Sequence, residues 1–103
     1  MPYLRQETRN ELDPAIDCLL TAILEHISGA ETDDNAMAEA GGLLNYCFNM
    51  LACGVLTCAA EQTRYAHLER LMGTFESAKL EFYRKMAAPY EDKKAEENGE
   101  VYP

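Results

Sequence analysis

Lys79 occupies a position that rarely suits a charge. On a wheel of 100° per residue it falls inside an apolar helix face near Phe75, Phe82 and Met86, and Glu76, Tyr83 and Tyr65 lie on the flank of that face. A lysine there must carry its ammonium to the rim or meet a partner, because burying an unpaired charge is costly. Two arrangements satisfy it. One is a Glu76–Lys79 salt bridge with Tyr83 bonding nearby. The other is a polar pocket at a helix or subunit seam, where Lys79 supplies charge and the tyrosines supply stacking surface. Asn45 and Tyr46 would then contribute from the facing element. Arg84 shares another side of the helix with Gly73 and Leu80, and it is the best bidentate anion binder in the chain. The candidate ligand-binding residues are therefore Asn45, Tyr46, Glu76, Lys79, Tyr83 and Arg84.

No covalent chemistry is written into the chain. There is no nucleophile elbow, no phosphate-cradling glycine loop, no HExxH and no zinc spacing. His26 and His67 stand apart from each other and from the cysteines, and read as surface or interface residues. Cys18, Cys47, Cys53 and Cys58 form no CxxC pair. Cys47 and Cys58 would lie roughly 16 Å apart along a helix, too far for a disulfide. Reduced thiols acting as small apolar residues fit a cytoplasmic compartment. The sequence points away from an enzyme and calls for no cofactor and no metal.

The elements that must position these residues are helices. Residues 1–12 read as an arm packing through Tyr3, Leu4 and Leu12. A first helix starts at Asp13-Pro14, a capping residue followed by a proline suited to the first helical position. Its stripe is Ile16, Leu19, Leu20, Ile23, Leu24 and Ile27, and Ser28-Gly29 ends it with a left-handed glycine cap. Residues 30–42 form an acidic linker with one or two helical turns, broken by Gly41-Gly42. A second helix covers 43–60 and a third covers 63–87, the latter burying Leu68, Leu71, Met72, Phe75, Ala78, Phe82 and Met86. Pro89 marks its stop and begins a short fourth helix over 90–97, closed by Asn98-Gly99. Residues 99–103 form an extended tail. The fold expected is all-α: one domain over 1–103, a small bundle of three main helices plus a short C-terminal helix.

Charge and hydropathy bound the partners. The chain of 103 residues has 18 acidic and 9 basic residues, a net of −9, so nucleic-acid phosphates and anionic lipid surfaces repel it. Residues 43–60 carry no charge, yet they contain Asn45, Asn49 and Thr57 and lack a basic anchor, so they read as a deeply buried soluble helix and not as a membrane span. Leu44, Cys47, Phe48, Leu51, Val55 and Cys58 make the main stripe. Met50, Cys53, Gly54 and Leu56 leave the opposite side equally greasy. A helix apolar all round must be covered all round, which a chain this short does not easily do alone. A second copy does, and this predicts a homo-oligomer.

The opening Met1-Pro2-Tyr3-Leu4-Arg5-Gln6-Glu7 with Leu12-Asp13-Pro14, the Leu44-Asn45-Tyr46 step, and Lys79-Leu80-Glu81-Phe82-Tyr83-Arg84-Lys85 resemble a short uncharacterised family of bacteriophages and prokaryotic genomes. The resemblance continues through Pro89-Tyr90-Glu91-Asp92-Lys93-Lys94 and Glu97-Asn98-Gly99-Glu100-Val101-Tyr102. Lys85 stands where a second arginine is usual in that family, Glu100 where an aspartate is usual, and the 28–42 segment looks expanded. The resemblance implies a phage-associated context and carries no established function. Small acidic phage proteins often act by binding, in the host cytoplasm.

Together these readings predict a non-enzymatic homo-oligomeric binding protein that sequesters a small nucleotide-like host signalling ligand at a subunit seam, an anti-defence role. Lys79 and Arg84 would take phosphate, and tyrosines would stack on a base. The alternatives are an acidic inhibitor or adaptor of a basic host protein, and a purely structural helical oligomer.

Overall fold

The computed structural model describes residues 2–103 and is helical throughout, with no strand among the described residues. In chain order the elements are α1 (Gln6–Ile27), α2 (Asp33–Ala59), α3 (Tyr65–Phe82), a π-helical turn (Tyr83–Ala87) and α4 (Ala88–Asn98). They fall into two compact units. One is Tyr3–Thr63; the other is Arg64–Pro103 together with Pro2.

In the first unit α1 and α2 form a helical hairpin joined by five residues. α1 begins well before the expected start and runs straight through Pro14. The Asp13-Pro14 pair suits a helix start equally well, but Arg5 already opens the helix, its carbonyl accepting the Arg9 N–H at 3.0 Å. The Gln6 amide donates to Asn10 Oδ1 at 2.7 Å across the next turn. Pro14 leaves the Asn10 carbonyl without its helical donor, which is tolerable because this stretch is exposed and water can serve it. At the other end Ser28 stays in right-handed geometry, and its hydroxyl donates to the Glu25 carbonyl at 2.8 Å. Gly29 takes no positive φ; among the described residues only Gly99 does.

α2 absorbs most of what reads as a linker. The Thr32 hydroxyl accepts the Asn35 N–H at 3.1 Å, and Asp33 and Asp34 occupy the first turn, where carboxylates favour the helix dipole. The helix then passes through Gly41-Gly42 unbroken. Two glycines cost about 2 kcal/mol relative to alanine, and the alanine-rich turns before them and the apolar run after them carry the helix across.

The second unit is one long helical rod with a defect. The Arg64 N–H donates to His67 Nδ1 at 3.1 Å, which caps the start of α3. Pro89 does not stop the rod. It has no N–H, and its ring would collide with a carbonyl one turn back in a regular α-helix. The chain widens instead into the π-turn, where the Ala88 N–H bonds the Tyr83 carbonyl five residues earlier. α4 continues from there as a joined helix and not as a separate one. It closes at Gly99, at a φ of 92°, whose N–H bonds Ala95 O at 2.8 Å. The three helices are thus α1, α2 and the long α3–α4 rod.

Very little of this surface is hidden. Only Ile23 and Ala40, one on each arm of the hairpin, are buried among the described residues. α2 is therefore not the deeply buried helix expected: Phe48, Leu51 and Val55 are all more than half exposed, and so are Met72, Phe82 and Met86 in the rod. α2 is also the described helix long and apolar enough to cross a membrane, by length and composition.

Candidate binding surface

Four of the six candidate residues lie on the rod around its defect. Lys79 Nζ sits 3.0 Å from Glu76 Oε1, one turn back, with both side chains mostly in solvent. This is the simple salt-bridge arrangement. Lys79 reaches the rim, as a long amphipathic chain on an apolar face does.

Arg84 is turned the same way, toward its own helix. Its Nη2 donates to both carboxylate oxygens of Glu81, at 3.0 and 3.1 Å. The guanidinium fork matches a carboxylate better than an ammonium does.

Tyr83 does not join Lys79. Its hydroxyl donates to Glu91 Oε2 at 2.9 Å, eight residues on, so the contact straps the π-turn from its first residue to the first turn of α4. Eight residues span two turns plus a fraction in an ideal helix; the extra residue in the π-turn is what lines the two groups up. Glu91 sits in a charge run that reads as a solvated face, and no α-helical spacing rule pairs positions eight apart. The bond to Glu91 pushes the Tyr83 phenol above its ordinary range. The Glu91 charge adds to this, followed by desolvation and the more distant Asp92 and Tyr102. A raised phenol pKa means that the contact is fully present below pH 10 and is lost as pH climbs through the raised value. A spectrophotometric titration should show the Tyr83 phenol ionising above its ordinary range, and Glu91→Gln should bring it down. A wild-type titration that Glu91→Gln leaves unchanged would remove the strap.

Asn45 and Tyr46 belong to the other unit, on α2. Tyr46 is 66% exposed. Asn49 Nδ2 donates to both the carbonyl and the side-chain oxygen of Asn45, at 2.8 and 2.9 Å. The structure thus groups Glu76, Lys79, Tyr83 and Arg84 along one helix and leaves Asn45 and Tyr46 on a separate one.

The best-formed concavity lies elsewhere. An open groove of about 810 Å³ runs along another side of α3, lined by Glu69, Arg70, Gly73, Ser77 and Glu81 with Pro2 against it. Of the residues singled out in the sequence, Pro2, Gly73, Ala78 and Glu81 line it. Small residues at the 73 and 77 spacing are the one signal that reports it. All four cysteines are free thiols, Cys47 half-buried and the others exposed. Among the described residues no cluster of histidine, cysteine and carboxylate side chains could hold a metal.

The sequence relations of the chain reach as far as a family. The chain belongs to the family described as Domain of unknown function (DUF6899), whose profile matches residues 1–101. No curated protein and no solved structure matches it.

Proposed function

We propose that this protein is a non-enzymatic binding protein that works as a homo-oligomer. One observation carries the reading: among its described residues the chain by itself buries only Ile23 and Ala40, in a sequence that is 48% hydrophobic. Fully burying a large apolar side chain stabilises by about 1.5–3 kcal/mol. Leu68, Met72, Phe75, Phe82 and Met86 on the rod are 38–67% exposed, so on the order of 5 kcal/mol is left unrealised on that element alone. That equals the lower end of a small domain's whole stability. Subunit contact recovers it.

The finer reading is sequestration of a small nucleotide-like ligand at a seam between subunits, in the host cytoplasm if the protein is phage-encoded. Its support is the cation–aromatic run Lys79, Tyr83 and Arg84 beside the π-turn, a type of defect often found at functional sites. The carboxylate partner of Lys79 is no obstacle. An exposed ion pair is worth about 0–1 kcal/mol, so a doubly charged phosphate can displace Glu76. A thermal-shift screen against cyclic nucleotides and ADP-ribose derivatives tests it. One compound should raise the melting temperature by several degrees, and Lys79→Ala should abolish the shift. No stabilising compound, with Lys79→Ala matching wild type, would leave self-assembly as the function.

A further inference from the structure

We infer that the start of α3 is a pH-operated clasp: a proton taken up at His67 Nδ1 removes the acceptor that closes the helix end, and the first turn then unwinds into the junction between the two compact units. The observations behind it are separate from those behind self-assembly.

The clasp is a reciprocal pair. The Arg64 N–H donates to His67 Nδ1 at 3.1 Å, and the His67 N–H donates back to the Arg64 carbonyl at 2.9 Å. The first bond follows the capping box, in which a side chain at the third helical position reaches back to the backbone N–H ahead of the helix. Glutamate or glutamine usually fills that position, and either one offers an oxygen acceptor at neutral and mildly acidic pH alike. An imidazole does not. Its Nδ1 accepts only while the ring is neutral with its hydrogen on Nε2, and the imidazolium donates from both nitrogens. Histidine is the side chain whose charge changes between pH 5 and 8. Protonation therefore sets one donor against another, Nδ1–H against the Arg64 N–H. It also places a cation at a helix N-terminus, where the dipole disfavours it.

The clasp sits where opening has a consequence. The boundary between the two compact units falls between Thr63 and Arg64. The five residues 60–64 that join α2 to α3 carry no helix. At one end of this junction the Ala60 N–H bonds Leu56 O at 3.3 Å, and at the other the Arg64 N–H bonds His67. Loss of the second bond frees the first turn of α3 and lengthens the flexible connection by about one helical turn.

Nothing around His67 holds its charged form in place. On the helical wheel Arg64 and Arg70 flank it, each about 60° away, and both are cations. Leu71 and Thr74 follow on the same face and are uncharged, whereas Tyr65 and Glu69 fall on the other side of the helix. Glu61, in the junction, forms no ion pair with it among the described residues. The π-turn, with Arg84 and Lys85, meets α3 at its far end, roughly 24 Å along the axis. An imidazolium here gains no carboxylate to replace the bond it loses, so the clasp opens as pH falls.

Nuclear magnetic resonance on the full-length, nitrogen-15-labelled protein tests this. At pH 8 a coupling across the hydrogen bond should connect the Arg64 amide nitrogen to His67 Nδ1. By pH 5 it should vanish in step with the titration of the His67 ring protons. Exchange protection of the Arg64, His67 and Leu68 amides, corrected for intrinsic rates, should fall about fivefold relative to the rest of α3. His67→Gln keeps an acceptor throughout and should hold the protection from pH 8 to pH 5. His67→Ala should show the low protection at both, and His26→Gln should behave like wild type. Circular dichroism at pH 8 controls for folding of the variants. Wild-type protection unchanged between pH 8 and pH 5 would overturn the inference, as would a fall that persists in His67→Gln.

Discussion

A thousandfold dilution, from about 100 to about 0.1 μM, should lower the melting temperature by roughly 10–30 °C. Each tenfold dilution of an associating species weakens it by about 1.4 kcal/mol of association. Three decades therefore remove about 2–4 kcal/mol per subunit, less for a dimer and more for a larger assembly. For a domain of this size 1 kcal/mol moves the transition by about 4–8 °C. The shift is this large because so little of the fold is paid for within one chain: neither arm of the hairpin buries more than one residue, and the rod buries none among its described residues. Where folding and assembly are one equilibrium, stability has no value apart from concentration. Circular dichroism at 222 nm follows it directly. A transition independent of concentration would mean that the chain hides its own stripes, and subunit seams would have no part in its function.

Replacing Pro14 by alanine should stabilise the protein, by up to about 3 kcal/mol at fixed concentration. Pro14 lies eight residues into α1 in an exposed stretch, and there it removes a helical hydrogen bond. Alanine restores the donor for Asn10 and is the best helix former. The urea midpoint should rise with an unchanged slope. A fall in midpoint would show that the proline bends α1 to fit a neighbour.

The three longer helices were legible because apolar residues recur at 3.6-residue spacing in each of them, and the short C-terminal one from its proline start and Asn98-Gly99 end. Their ends were not, and for one reason. Asp13-Pro14, Gly41-Gly42 and Pro89 all carry local chemistry that stops or starts helices, and each is overridden by strong helix formers on both sides. Asn98-Gly99 carries the same kind of signal with no helix-forming run beyond to override it, and there the reading matches the positive-φ cap. In the candidate site the Glu76–Lys79 bridge follows from i,i+3 spacing. The Tyr83–Glu91 strap does not, since it exists only because a π-turn changes the register between its ends.

The π-turn works as a phase shifter. It fits one additional residue into a single coil of the rod, so side chains after Ala87 are rotated relative to the stripe that Leu68, Met72 and Phe75 begin. A one-residue deletion between 84 and 86, made together with Pro89→Ala so that a regular helix is sterically allowed, would leave an unbroken helix and sacrifice almost no hydrogen bonding, yet it would swing Tyr90, Lys94 and everything downstream about a quarter turn around the axis. Such a variant would keep its helicity and lose whatever docks on the last third of the chain.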